Sequence, residues 1–116
     1  MHEITKEDTA YSISAVRRKR FLEARAVLRK ITDILVREYD VGKIILIGSL
    51  SDSDRFGFHS DIDICVEGLS DRAYFKAAGE LLLEAGDFDI DIIPLENASP
   101  EMTEKIKKGK VLYEKR

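Results

Sequence analysis

The period of the apolar residues changes along the chain, and each change marks a new element. Val16, Ala24, Val27, Leu28, Ile31, Ile34 and Leu35 recur at three- and four-residue steps, which form one stripe on a 3.6-residue period. Residues 12–39 are therefore predicted to form one long helix, and Gly42 permits the turn out of it. Ile44-Ile45-Leu46-Ile47 is a continuous apolar run of strand length, closed by Gly48-Ser49. Ser60-Asp61-Ile62-Asp63-Ile64-Cys65-Val66 and Phe88-Asp89-Ile90-Asp91-Ile92-Ile93 alternate instead, the pattern of strands with one buried face. Between them Ser70 is a good N-cap and Asp71 suits a first helical turn. The helix it opens is expected to turn Tyr74, Ala77, Ala78, Leu81, Leu82 and Ala85 inward and to stop at Gly86. Gly79 inside it is costly, which predicts close packing against a sheet as compensation. Ser99-Pro100-Glu101 starts a third helix with Pro at its first position. Gly109 ends it, and Val111-Leu112-Tyr113 is a short extended piece.

The order is helix, strand, short helical turn, strand, helix, strand, helix, short strand. Such alternation predicts an α/β (α+β) fold, a sheet with helices packed mainly on one face. The pattern does not fix strand order or direction. At 116 residues the chain is expected to be a single domain, 1–116, with a core at 43–113 behind the helix at 12–39.

Composition narrows the classes. With 44% hydrophobic and 35% charged residues the chain has apolar surface to bury and is not of disordered type. A formal net charge of −3 gives no reason to expect general nucleic-acid binding, which favours a basic balance. No segment approaches the ~20 apolar residues of a membrane span, and the polar start Met1-His2-Glu3-Ile4-Thr5-Lys6 lacks a signal-peptide core. One cysteine excludes an internal disulfide, so a cytoplasmic location is expected.

The chemistry lies in the acids. Asp61 and Asp63 share one strand face, and Asp89 and Asp91 share one on a later strand. Alone, Asp61 and Asp63 read equally as solvent-facing acids, and Asp89 reads as a strand-entry acid. Three carboxylates gathered on a sheet edge, however, repel one another unless a divalent cation neutralises them. Gly48-Ser49 reads as a plain turn or as a turn whose free N–H groups face an anion. Ser60 reads as a site residue or as a cap for its own backbone. His59 has no second histidine near it in the chain, and Cys65 reads as a small buried hydrophobe. Arg17-Arg18-Lys19-Arg20 reads as a solvated helix face. The lysines at 105, 107, 108 and 110 match the macrodipole at a helix C-terminus.

Gly48-Ser49, Asp61-x-Asp63 and Asp91 together resemble the nucleotidyltransferase superfamily of DNA polymerase beta, most closely its minimal form, the MNT proteins of prokaryotic toxin–antitoxin operons. Val66-Glu67-Gly68-Leu69, Tyr74-Phe75, Asp91-Ile92-Ile93-Pro94-Leu95-Glu96 and Gly109-x-Val111-Leu112-Tyr113 extend the likeness from about residue 43 to 113. The chain departs from that pattern after Gly48-Ser49: Leu50 and Ser53 replace a common Arg and Gly, and Asp52 and Asp54 join the loop. Arg55 is the cation that loop retains.

The resemblance implies a small mixed sheet of nucleotidyltransferase fold. It implies Asp61, Asp63 and Asp91 as ligands of Mg²⁺ or Mn²⁺, with Asp91 rather than Asp89 as third acid and base toward the acceptor. It implies Gly48, Ser49, Ser60 and Arg55 as nucleotide-binding residues. The implied activity is transfer of NMP, AMP from ATP above all, onto a hydroxyl. Larger relatives carry acceptor recognition in a further domain, so a partner is expected here: a HEPN-family toxin, modified on a tyrosine, or a second copy of the chain. The rival reading is a non-catalytic subunit that neutralises its partner by binding. A stand-alone transferase for small molecules such as aminoglycosides fits less well.

Overall fold

The structure, a computed structural model, describes residues 6–48, 50, 56–57 and 61–116, with the side chains of 6–11 excepted. The helical turn expected after the first strand lies outside the described residues, apart from Leu50, which is buried in the core.

Helix α1 spans Lys6–Glu38 and so begins earlier than the apolar stripe suggests. The stripe marks only the buried part of a helix, and residues upstream can stay helical without burial. Its 33 residues reach about 50 Å at 1.5 Å per residue. That length sets the long axis of a molecule measuring 59 × 29 × 23 Å. Ala24, Leu28, Ile31 and Leu35 are buried, with Val27 and Ile34 beside them. Val16, expected in the buried stripe, is instead 53% exposed, as is much of Ile13 nearby. The five- and six-residue strands are too short to cover the whole helix.

Strands β1 (Lys43–Ile47), β2 (Ile62–Glu67), β3 (Ile90–Pro94) and β4 (Lys110–Glu114) form one mixed sheet of order β3-β2-β1-β4. β1 is antiparallel to both β2 and β4, while β2 and β3 are parallel. The parallel pair requires a crossover, which is helix α2, Asp71–Glu84. β2 and β3 each begin two residues later than the alternating runs, leaving Asp61 and Asp89 just before their strands. Ser70 caps α2, its hydroxyl accepting from the Ala73 N–H.

The two faces of the sheet are covered differently. α1 and α2 enclose the larger core, where Ile44, Leu46, Ile62, Ile64, Val66 and Ile92 meet Leu28, Ile31, Leu35, Ala77 and Leu81. Tyr39 donates to Glu80 at 2.6 Å and ties the end of α1 to α2; that bond and the nearby carboxylates hold the Tyr39 hydroxyl up at about 12. On the opposite face, the short helix α3 (Pro100–Lys107) packs Met102 and Ile106 over Ile45, Ile47, Cys65 and Ile93. Ser99 caps α3 by accepting from the Met102 N–H.

Two expectations for α2 fail. Leu82 is 62% exposed rather than inward, and Leu83 and Phe75 are more exposed still. Gly79 is exposed, and a Cβ built there meets nothing within 4 Å. No close approach to the sheet accounts for it. α2 buries one narrow stripe, centred on Ala77 and Leu81, and residues 75, 79, 82 and 83 fall on the other side.

Gly79→Ala should therefore stabilise the isolated protein by about 0.5–1 kcal/mol, the helix-interior difference between the two residues. Urea denaturation checks this. Loss of stability on the same substitution would mean that Gly79 is packed against something in solution.

Candidate functional site

Strand alternation and register create the site. β2 sends Ile62, Ile64 and Val66 into the large core, so Asp63 and Cys65 point to the α3 face. Cross-strand pairing then makes two adjoining rows on that face. Ile45, Cys65 and Ile93 form the first and Ile47, Asp63 and Asp91 the second, since Asp63 stands opposite both Ile47 and Asp91. The first row is apolar and carries α3. The second turns acidic where α3 leaves the sheet.

There the surface opens into a cleft of about 410 Å³, lined by Ile47, Gly48, Asp63, Asp91, Ile93, Met102, Lys105, Lys108 and Gly109. One wall is the end of the sheet with its two carboxylates. The other is the end of α3 and its C-cap, with Lys105 and Lys108.

Charge crowding is visible in Asp63. Partial burial pushes its carboxyl above the ordinary carboxylate range, the Asp91 and Asp61 carboxylates push it further, and Lys105 pulls it partly back. Burial, then Asp63 and Asp91, likewise push up the Cys65 thiol, which keeps it an unreactive neutral hydrophobe. No ion pair or hydrogen bond joins Asp61, Asp63 or Asp91 to another side chain among the described residues.

Glycine is required at two edges of the cleft. Gly48 leaves β1 at φ +79°, and a Cβ there would lie 2.8 Å from Asp63 Oδ2. Gly109 brings the chain from α3 into β4 so closely that a Cβ would meet Leu46 O and Ile45 Cγ2 at 2.7 Å each. These approaches fix where Asp63 and Lys108 begin.

The structure brings Asp63, Asp91 and Gly48 together around one cleft, with Asp61 near enough for its charge to act on Asp63. Asp61 precedes β2 and does not line the cleft itself. Asp89 also precedes its strand, where its carbonyl accepts from the Ile62 N–H at 2.9 Å. Asp91, not Asp89, faces the cleft. Among the described residues, no three Asp, Glu, His or Cys side chains converge as a ready-made metal cage. As a donor set the acids nonetheless suit a hard divalent cation: they are oxygen acceptors, mutually repelling, and Gly48 leaves room beside one of them. Ser49, Arg55 and Ser60 lie outside the described residues, as do Asp52, Asp54 and His59.

Two motif residues have structural work. Glu96 accepts from the Gly68 N–H at 2.8 Å, and Gly68 has φ +97°. Tyr74 donates to the Ile92 carbonyl at 3.1 Å and ties α2 to β3 beside Asp91. Sequence reasoning missed Lys105 and Lys108 as cleft residues. Their three-residue spacing from each other and from Met102 puts all three on one side of α3, but only the fold shows which face of the sheet α3 covers.

No curated protein sequence matches the chain. Among solved structures it is similar to a variant of the toxin–antitoxin complex MntA–HepT, at 31% identity, covering 76% of this chain and 72% of that one, with a TM-score of 0.58. It is similar to a toxin–antitoxin structure with AMP-PNP, at 27% identity, 78% and 73% coverage and a TM-score of 0.59. It is also similar to tri-AMPylated Shewanella oneidensis HEPN toxin in complex with MNT antitoxin, at 27% identity, 77% and 73% coverage and a TM-score of 0.54. The family model described as polymerase beta, nucleotidyltransferase matches residues 29–116. That span holds the whole sheet, both carboxylates of the cleft and the lysines of α3, and the chain belongs to the polymerase beta nucleotidyltransferase family.

Proposed function

We propose that this protein transfers AMP from ATP to a hydroxyl on a protein partner, a HEPN-type toxin that it silences in a cytoplasmic toxin–antitoxin pair. The observation that carries the reading is the in-register placement of Asp63 and Asp91 at a cleft whose opposite wall is cationic. Its support from relatives is the AMP-PNP structure and the tri-AMPylated toxin in complex with an MNT antitoxin, both at 27% identity to this chain.

In this reading Asp61, Asp63 and Asp91 hold Mg²⁺ or Mn²⁺. When bound, the cation supplies charge neutralisation at the phosphates and lowers the repulsion among the three acids. Gly48 presents backbone toward the phosphates, with Ser49, Ser60 and Arg55 as further contacts. The acceptor oxygen forms a bond to the α-phosphorus while the bond from that phosphorus to the bridging oxygen breaks, and pyrophosphate leaves. The acceptor's proton passes to the Asp91 carboxylate. Positioning and charge do the catalytic work, as in other phosphoryl transfers. The nucleotidyltransferase domain supplies the nucleotide side and the partner supplies the acceptor. Exposed apolar side chains suit such a partner: Ile13, Val16 and Leu22 on α1, and Phe75, Leu82 and Leu83 on α2.

A second reading, neutralisation of the partner by binding alone, is favoured by Asp52 and Asp54 in the segment after Gly48-Ser49, where a triphosphate is expected. Release of pyrophosphate and label transfer from ATP by the purified pair separates the two.

Asp63→Asn should lower transfer at least 10²-fold, the scale of losing one charge-stabilising group, and Asp89→Asn should change it little. The metal-free Asp63→Asn protein should melt at or above wild type at neutral pH. Asp63 titrates above its ordinary value when folded, so its contribution to stability is full at acid pH and is lost as pH rises through the folded pKa. The gap between variant and wild type should therefore widen as pH rises from about 4. A destabilised Asp63→Asn that retains activity would make the acid structural.

Gly48→Ala should cost about 1–3 kcal/mol in denaturant unfolding, from positive-φ strain and the contact with Asp63, and should reduce transfer further by displacing that carboxylate. An unchanged midpoint with full activity would contradict the close approach.

A further inference from the structure

Lys105 on α3 and Lys108 at its C-cap behave differently from the lysine between them. Lys107 closes on Glu104 at 3.3 Å, the ordinary fate of a helix-surface lysine. Lys43 and Lys115, elsewhere, pair with Glu114 and Asp40. Lys105 and Lys108 instead line the cleft with Asp63 and Asp91, and neither ammonium forms an ion pair among the described residues. The macrodipole alone does not account for this, because it favours Lys107 equally.

The cleft needs cations from somewhere. Its sheet wall is acidic, with Asp63 and Asp91 side by side. A polyphosphate approaching that wall meets like charge. The C-terminus of α3 adds a partial negative charge of about half a unit, which two full positive charges outweigh. Ile47, Ile93 and Met102 make part of the lining apolar, while Lys105 and Lys108 are themselves exposed and free to swing onto a ligand. Position is set by packing: Met102 and Ile106 sit on the Ile45–Cys65–Ile93 row, and Gly109 lies against β1.

We propose that Lys105 and Lys108 bind the phosphate oxygens of the nucleotide, so that α3 supplies the cationic jaw of the phosphate clamp opposite the carboxylates. This rests on the nucleotidyl-transfer reading for the identity of the ligand, and on the cleft itself for the chemistry. Lysine is suited to the task as a point charge with three rotatable donors. The affinity it contributes should rise with the number of phosphates and fall with added salt.

Calorimetry on the full chain with Mg²⁺ tests it, using AMP, ADP, AMP-PNP and inorganic tripolyphosphate as probes. Lys105→Gln and Lys108→Gln should each weaken AMP-PNP about ten-fold, as expected for a lost charge-assisted contact. The double variant should lose more, with smaller losses for ADP and least for AMP. Lys107→Gln should leave all probes within two-fold of wild type, and Lys105→Arg should restore part of the affinity. Tripolyphosphate reads the clamp without a base: lysine-dependent binding of it supports the jaw even where the nucleotide reading fails. Wild-type binding of AMP-PNP that the double variant retains in full overturns the jaw and leaves the nucleotide reading standing. Binding of neither probe by wild type overturns both.

Discussion

Asp63 and Asp91 face each other on adjacent parallel strands, and that like-charge pairing is the constraint around which this end of the molecule is organised. A one-residue slip of β3 against β2 would send Asp91 into the core beside Ile64 and turn Ile92 to the α3 face. The buried parity of Ile62, Ile64, Val66 and Ile92 prevents it. The large hydrophobic core beneath α1 and α2 thus holds two repelling carboxylates in register. Stability on one face of the sheet sustains electrostatic strain on the other.

Two glycines and one short helix convert that strained edge into a cleft. Gly48 gives Asp63 room, and Gly109 lets the chain cross β1 at a distance no side chain permits. α3 then stands over the apolar row and extends past it, so that Lys105 and Lys108 face the acids. The opposed charges balance partly without touching. An added cation or anion therefore has something to gain from either wall.

Most of the elements were legible in the sequence because each obeys a local rule. Ser70 and Ser99 cap their helices as their side chains predict, and alternation marks β2 and β3 to within two residues. The chain reveals less wherever the answer depends on what a residue packs against. Val16 continues the α1 stripe in spacing but is half-exposed, and Leu82 fits a wide apolar face where α2 buries a narrow one. Gly79 obeys no local rule and meets no neighbour. For the candidate site, the parity of Asp63 and Asp91 follows from a period of two, but their pairing depends on strand order, which no pattern specifies. Lys105 and Lys108 had an adequate local explanation in the helix dipole, and only the placement of α3 shows that they have another neighbour.

In the proposed function the acidic row, unpaired within the described residues, holds a divalent cation that a nucleotide brings or completes. Electron paramagnetic resonance of Mn²⁺ titrated into the protein measures this directly, since free and bound ion are distinguished without any turnover. Wild type should bind Mn²⁺ weakly alone and at least about ten-fold more tightly with AMP-PNP present, because the phosphates add oxygen ligands. Asp63→Asn should abolish the AMP-PNP-dependent binding. Equal Mn²⁺ affinity in Asp63→Asn and wild type, with AMP-PNP present, would contradict the assignment of the Asp63–Asp91 row as a metal-assisted transfer site.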